Sequence, residues 1–261
     1  MTFTIAVSGK GGSGKTTVSA LIIDYLNRNK LGSVLAVDAD PNTNLNEALG
    51  IEIKKTLGEV REELLKIGEL TSSREDYFEY LIYSEVIAEG DGFDLLPMGR
   101  PEGPGCYCYI NHVLRKIIDK LSRNYDYVIM DTEAGLEHLS RRTTRDVNVM
   151  LIVTDPSIRG ILTAKRIRDL SIELDTKIRR FYIVANRIPK NSLNYIRDEI
   201  EKIELELIGC IPEDQNILIH DLRGLPITKI SGDSPAVKAI EKIMAKILMI
   251  KTEDSISKIL G

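Results

Sequence analysis

A short segment near the start of the chain concentrates residue types that bind phosphate. Residues 9–17 have the sequence GKGGSGKTT and lie between an apolar run and a stretch with helical periodicity. Glycines let backbone amides turn inward around phosphate oxygens, and the positive end of the following helix attracts an anion. A strand, a glycine-rich turn and a Lys-Thr pair that opens a helix together predict a loop that holds the phosphates of a nucleotide.

The polar residues of this loop have separate expected roles. Lys15 should reach the β- and γ-phosphates, and the hydroxyl of Thr16 should join the coordination shell of Mg²⁺. Lys10 is not needed for the geometry of the turn, so it indicates an additional role. The rest of the loop is expected to bind the nucleotide: Gly11, Gly12, Ser13, Gly14 and Thr17.

Carboxylates follow two other apolar runs. Asp38 and Asp40 come after Val34–Val37, and Asp131 comes after Tyr127–Met130. Because the carboxyl ends of parallel strands face the ligand crevice of an α/β sheet, these carboxylates should lie beside the phosphates. We expect Asp131 to meet Mg²⁺ directly or through water. Asp38 is placed to support the adjacent loop or the Mg²⁺ shell.

A polar pair at the end of a later strand is a candidate for recognising the base. Asn186 follows the apolar run Phe181–Ala185, and its amide can bond the exocyclic amine and a ring nitrogen of adenine. Related GTPases supply a carboxylate to guanine from an Asn-Lys-x-Asp motif, but the fourth position here is Pro189. The sequence therefore predicts ATP, with Arg187 next to Asn186 and Pro212 on the other side of the base.

Cys106 and Cys108 form a Cys-x-Cys pair before a helix predicted at about residues 110–121. Amides at a helix N-terminus lower thiol pKa values and so favour metal-binding thiolates. Two thiolates do not complete a tetrahedral site, but a two-fold axis can unite two pairs as Cys₄, which suits Ni²⁺, Zn²⁺, Cu⁺ or an iron–sulfur cluster. Two structural cysteines are the alternative. His112 and His138 are open as further ligands, and Cys210 is expected in the core.

The elements that must position these residues are seven apolar runs with helix-like stretches between them. Such near-continuous apolar runs are typical of parallel strands covered on both faces. We therefore predict an α/β fold with a mainly parallel twisted sheet and helices on both faces. The predicted strands are Phe3–Val7, Val34–Val37, Phe93–Met98, Tyr127–Met130, Val149–Val153, Phe181–Ala185 and Leu205–Ile208. The other predicted helices are Thr16–Asn29, Leu57–Lys66 and Arg74–Ile87.

Bulk composition narrows the class of protein. No Pro/Gly/Ser-rich linker divides the 261 residues, which predicts a single P-loop domain over residues 1–261 with a helical insertion at about residues 52–90. The net charge of −4 gives no general reason to expect nucleic acid. No apolar run approaches the roughly 20 residues that cross a bilayer, so we expect no membrane contact. Three cysteines do not make a disulfide framework, and a reduced cytoplasmic setting is expected.

Four segments together resemble the CooC family, the ATPases that mature carbon monoxide dehydrogenase. They are GKGGSGKT at residues 9–16, DADP at residues 38–41, the Cys106-Tyr-Cys108 pair and DTEAGLEH at residues 131–138. The resemblance runs in the same order over nearly the whole chain. The sequence is also similar to the wider class of dimeric ATPases that includes MinD, ParA and the nitrogenase iron protein. In that class, a lysine at the position of Lys10 reaches across the dimer to the partner's nucleotide.

The resemblance implies an ATP-dependent homodimer that holds Ni²⁺ or Zn²⁺ between subunits through both Cys pairs. It implies delivery of nickel to carbon monoxide dehydrogenase or to a related acetyl-CoA synthase/decarbonylase complex. Catalytic roles then fall to Lys10, Lys15 and Asp40, the last orienting or activating the attacking water. Two alternatives stay open: a MinD- or ParA-like positioning ATPase with structural cysteines, and an ATPase that carries an iron–sulfur cluster. The first is disfavoured because residues 251–261 are not basic, whereas MinD-like proteins end in a basic membrane helix. The second is disfavoured because Ala134 stands where the nitrogenase iron protein has a cluster-binding cysteine.

Overall fold

The computed structural model describes residues 2–40, 42, 44–66, 72–99, 119–132, 147–174, 177–189 and 192–260. In this part of the chain the seven apolar runs and one further short strand form one eight-stranded sheet. Its strands β1 to β8 are Phe3–Gly9, Val34–Asp38, Ala88–Glu89, Asp94–Pro97, Tyr127–Asp131, Val147–Thr154, Ile178–Ile188 and Glu206–Pro212. Helices α1 to α8 are Lys15–Arg28, Leu45–Leu49, Leu57–Lys66, Ser72–Leu81, Ile158–Glu173, Leu193–Glu201, Gln215–Arg223 and Pro235–Leu260.

The strand order β3-β4-β2-β5-β1-β6-β7-β8 places the first strand inside the sheet. All neighbouring strands are parallel except β3, which pairs antiparallel with β4. The register sets Asp131 beside both Val7 and Asp38, so the ends of β1, β2 and β5 lie at one edge. This arrangement brings the glycine-rich loop and two of the predicted carboxylates to the same place.

Helices cover both faces of the sheet, and alternate strand residues feed two separate cores. One core joins the sheet to α3, α4, α5 and α6, and the other joins it to α1, α2 and α8. Within β1, for example, Ala6 belongs to the first core while Ile5 and Val7 belong to the second. The α/β fold with a mainly parallel sheet and helices on both faces is therefore confirmed.

The differences from the predicted elements are local. Strand β3 was not predicted because two residues carry no periodicity, and as an antiparallel edge strand it needs only one partner. The helix predicted at Arg74–Ile87 consists of α4 followed by a π-helical turn at Ile82–Val86. The helix predicted at about residues 110–121 lies mostly outside the described residues. Nothing in the described chain is both long and apolar enough as a helix to cross a membrane.

Candidate functional site

The glycine-rich loop joins the end of β1 to the start of α1 and leaves open space above it. The amide of Ser13 donates to the carbonyl of Lys10 across the turn, at 3.1 Å. A Cβ added at Gly11 or Gly12 would meet no atom within 4 Å. Among the described residues, no side chain caps the first turn of α1, which leaves its amides free to bind an anion.

The two lysines of the loop lie in different environments. Lys15 is buried, with 8% of its surface exposed, and its charge acts on the carboxylate of Asp131. Lys10 is exposed at the surface of the loop. The hydroxyl of Ser13 is also buried and has no hydrogen-bond partner among the described residues. A phosphate oxygen is the kind of acceptor that this hydroxyl lacks.

Asp38 is fully buried at the end of β2 and holds the backbone that follows it. Its Oδ1 accepts the amide of Asp40 at 3.1 Å, and its Oδ2 accepts the amide of Leu45 at 3.0 Å, at the start of α2. Burial raises the pKa of Asp38 to about 7, and the nearby carboxylates of Asp131 and Asp40 add to the increase. These bonds fit the support of the loop that is predicted for Asp38, and its alternative role in the Mg²⁺ shell stays a prediction.

Asp131 is buried beside the start of α1 and is incompletely satisfied. Its Oδ1 accepts the hydroxyl of Ser19 at 3.2 Å, whereas its Oδ2 has no hydrogen-bond partner among the described residues. Burial raises the pKa of Asp131 to about 6, although the hydroxyl of Thr16 and the charge of Lys15 oppose that increase. A buried carboxylate oxygen without a partner is costly, and a cation removes that cost.

These residues fit a magnesium ion that is shared with nucleotide phosphates. Thr16 and Asp131 would hold it, with Asp40 half-buried nearby and bonded through Oδ1 to the amide of Asn42 at 2.9 Å. Within the described chain, no group of three or more His, Cys, Asp or Glu residues is arranged to bind a metal alone. Mg²⁺ usually binds through one or two protein ligands, with phosphates and waters completing the shell. When bound, it supplies positive charge that offsets the charge on the phosphates.

Asn186 and Arg187 at the end of β7 hold the glycine-rich loop from the side. The Nδ2 of Asn186 donates to the carbonyl of Ser13 at 2.8 Å, and the Nη1 of Arg187 donates to the carbonyl of Gly12 at 3.1 Å. Gly14 has a φ of +91°, and a Cβ there would come within 2.3 Å of the same Nδ2. Glycine is therefore required at position 14 both by its backbone conformation and by this close contact.

The backbone of Arg187 itself has a φ of 56°, which is uncommon for a residue with a Cβ. The Oδ1 of Asn186 accepts the amide of Arg187 at 2.9 Å and supports this conformation. One Asn side chain thus joins the end of β7 to the phosphate loop. The base-reading role predicted for Asn186 stays a prediction: its second Nδ2 proton would donate to a ring nitrogen of adenine, and the second lone pair of Oδ1 would accept the exocyclic amine.

A cavity of about 410 Å³ lies beside this pair of residues. It extends from Thr17 in α1 to Pro212 at the end of β8, so it begins at the phosphate loop and is lined by Asn186 and Arg187 between them. Asp214 closes another side, where its carboxylate is fixed by the amides of Asn216 and Ala236, each at 2.9 Å. The position and size fit the base and ribose of a nucleotide whose phosphates lie in the loop.

The structure also shows contacts at this site that the sequence did not predict. The bond of Ser19 to Asp131 was missed, although Ser19 lies one helical turn after Thr16 on the same face. The hydrogen bonds from Asn186 and Arg187 to the loop carbonyls were also missed, because no local sequence motif indicates them.

Cys106, Cys108, His112 and His138 all lie outside the described residues. Cys210 is half-buried against the core, and burial raises the pKa of its thiol.

Comparison with known proteins places this site in a family. Residues 4–227 match the CobQ/CobB/MinD/ParA nucleotide binding domain. An ATP-binding protein of Methanocaldococcus jannaschii is 46% identical over 249 residues, covering 94% of this chain and 98% of that protein. The carbon monoxide dehydrogenase accessory protein CooC of Rhodospirillum rubrum is 30% identical, covering 85% of this chain and 88% of that protein.

A solved structure shares the fold and holds a nucleotide. The septum site-determining protein MinD of Pyrococcus horikoshii, complexed with Mg-ADP, is 25% identical with a TM-score of 0.67. The match covers 95% of this chain and 96% of that chain. ATP and Mg²⁺ are thereby supported as the cofactors of the chain described here.

Substitutions of Lys15 and Asp40 should separate nucleotide binding from hydrolysis. Lys15→Ala should abolish binding or turnover, because it removes the buried cation at the phosphates. Asp40→Ala should keep binding and lose turnover if Asp40 orients or activates the attacking water, as the resemblance implies. Binding is measured by calorimetry with ADP and turnover by phosphate release. Asp198→Ala, an exposed carboxylate on α6, is the control. Undiminished turnover in Asp40→Ala would remove Asp40 from its role.

Asn186→Ala should weaken ADP binding by about five- to thirtyfold, because the loop loses a buried hydrogen bond of about 1–2 kcal/mol. Loss of the same bond should leave the carbonyl of Ser13 without its partner. Asn194→Ala, on the exposed surface of α6, should bind ADP as the wild type does. Equal ADP affinity of Asn186→Ala and wild type by calorimetry would show that the loop is held without this contact.

Proposed function

Because this chain belongs to the family of CobQ/CobB/MinD/ParA nucleotide-binding domains and is a P-loop ATPase, we propose that it is a dimeric metallochaperone. It hydrolyses ATP to assist nickel insertion into the active-site cluster of carbon monoxide dehydrogenase or of a related acetyl-CoA synthase/decarbonylase complex. The observation that carries this proposal is the similarity to CooC over 85% of the chain, together with the Cys106-Tyr-Cys108 pair.

The dimer is proposed because each chain provides only part of the metal site. Two thiolates leave a tetrahedral or square-planar ion half coordinated, and a second chain related by a two-fold axis supplies the other two. Lys10 is exposed on the phosphate loop, where a second chain can approach its nucleotide. ATP bound between two such loops draws the subunits together and pairs their Cys-x-Cys segments. Hydrolysis removes the γ-phosphate, opens the dimer and releases the metal to the client enzyme.

The nucleotide site supports such a switch through the backbone that follows β2. Asp38 holds the amides of Asp40 and Leu45, so the position of Asp40 is tied to the first residue of α2. A change at the γ-phosphate that moves Asp40 therefore acts on α2 through one buried carboxylate. Switch segments that sense the γ-phosphate use this kind of short connection between the site and a neighbouring element.

A MinD- or ParA-like positioning ATPase with structural cysteines is the second candidate. Its support is the similarity to MinD of Pyrococcus horikoshii over 95% of this chain. The two functions share the nucleotide site and differ in what the dimer holds: a metal ion in one case, and a membrane or DNA surface in the other.

Metal analysis of cysteine variants tests the metallochaperone proposal. Wild type should contain about one Ni²⁺ or Zn²⁺ per dimer, because two Cys pairs complete one site. Cys106→Ala/Cys108→Ala should lose it, and Cys210→Ala should retain it, since the pKa of the Cys210 thiol is raised and thiolate is the metal-binding form. Metal is measured by mass spectrometry after gel filtration with ATP. Equal metal in wild type and double variant, or iron with acid-labile sulfide, would refute the proposal.

Surface-binding assays test the second candidate. With ATP at low salt, neither double-stranded DNA nor vesicles of phosphatidylcholine and phosphatidylglycerol should retain the protein, because the chain carries a net charge of −4. Retention is measured by co-sedimentation and by gel shift. ATP-dependent retention that persists in Cys106→Ala/Cys108→Ala would favour the positioning ATPase over the metallochaperone.

A further inference from the structure

A second cavity, of about 930 Å³, adjoins the phosphate loop. Its walls include Thr16 and Thr17 at the start of α1, and it shares Thr17 and Asp221 with the cavity proposed for the base. All its other lining residues are different from those of the base cavity. The nucleotide site therefore has a larger neighbour to which no ligand has been assigned.

Close contacts between separate elements form the walls of this cavity. At the end of α2, a Cβ on Gly50 would come within 2.4 Å of Pro226 Cγ, so the two segments touch. The hydroxyl of Thr228 donates to the carbonyl of Leu49 at 3.2 Å. The Nδ1 of His220 lies 2.8 Å from the carbonyl of Pro226. These contacts fix α2, α7 and the segment after α7 relative to one another, so the cavity is already formed without a ligand.

The polar part of the lining favours a ligand that donates hydrogen bonds and carries positive charge. Three carboxylates line it, from Glu47, Glu52 and Asp221, and no lysine or arginine is among its described lining residues. The Oδ1 of Asn46 is buried and accepts no hydrogen bond within the described chain. Because the carbonyl of Pro226 can only accept, the Nδ1 of His220 carries the proton of this contact.

Six of the other lining residues are aliphatic and favour an apolar part in the ligand. Methylene groups can pack on these side chains while a charged end stays among the carboxylates. The volume lies near the upper end of the range of about 300–1,000 Å³ for small-molecule sites, so a single inorganic ion would not fill it. The aliphatic lining residues are Ala48, Ile51, Ile53, Leu225, Pro226 and Ile227.

We infer that this cavity binds an organic cation with an aliphatic stem, an alkylammonium or alkylguanidinium group. Two sources present that chemistry: a free polyamine, and an arginine side chain of a partner protein. The bound cation lies beside Thr16 and Thr17, so its charge acts on the phosphates held by the same helix start. The site is independent of the metallochaperone proposal, because it uses neither the cysteines nor ATP hydrolysis.

Calorimetry on the nucleotide-free protein at low ionic strength tests this site, with spermidine and the tripeptide acetyl-Ala-Arg-Ala-amide as probes. Wild type should bind at least one probe at a single site. Glu47→Gln/Glu52→Gln should weaken that binding by about tenfold or more, since hydrogen bonds to charged groups are lost. Ala48→Phe, which fills the cavity and keeps its charge, should weaken it as well. Glu241→Gln on the exposed surface of α8 should bind as wild type does.

The outcomes separate the two sources and the case of no site. Tighter binding of spermidine supports a polyamine, and tighter binding of the tripeptide supports a partner's arginine. Binding that all three variants weaken equally is general attraction to an acidic surface and overturns the inference. It is also overturned if neither probe binds, or if Ala48→Phe binds as wild type does while circular dichroism shows it folded. ADP binding by the same variants reports separately on the nucleotide site.

Discussion

Two carboxylates are buried at the ends of neighbouring parallel strands, and their negative charges must be stabilised by hydrogen-bond donors or by a cation. Asp38 and Asp131 are adjacent in the register of β2 and β5, and burial raises the pKa values of both. Asp38 is stabilised by two backbone amides, so its charge holds a turn in place. Asp131 keeps one oxygen without a partner among the described residues. The charge of Lys15 and the hydroxyl of Ser19 compensate the Asp131 carboxylate only in part, and a bound cation would satisfy its remaining oxygen.

The phosphate loop is shaped by elements far from it in the chain. Its open side requires glycines, which leaves the loop little stiffness of its own. Asn186 and Arg187 supply that stiffness by binding the carbonyls of Ser13 and Gly12. The same two residues line the cavity proposed for the base. Filling this cavity and ordering the phosphate loop are therefore coupled through one strand end.

The start of α1 is a junction between the nucleotide and a second cavity. Thr17 lines both cavities, and Asp221 at the far end of α7 does so too. A cation in the second cavity and an anion in the loop would attract each other over a short distance, and such coupling is reciprocal. Such a site would suit an ATPase whose cycle depends on a partner, because the charge of the bound partner would change the electrostatic potential at the phosphates.

The sequence by itself determined the phosphate loop, the carboxylates at the strand ends and the α/β class of fold. These features are local in the sequence. The loop motif occupies nine consecutive residues, and a strand covered on both faces is a continuous apolar run that ends where polar residues begin. Only the tertiary structure decided which groups hold the loop, since Asn186 and Ser13 are 173 positions apart and no short-range pattern links them. It also decided that the carboxylate of Asp38 accepts two backbone amides, while Asp131 keeps one oxygen without a partner in the described part of the chain. That difference depends on which amides the packed strands bring near each buried carboxylate.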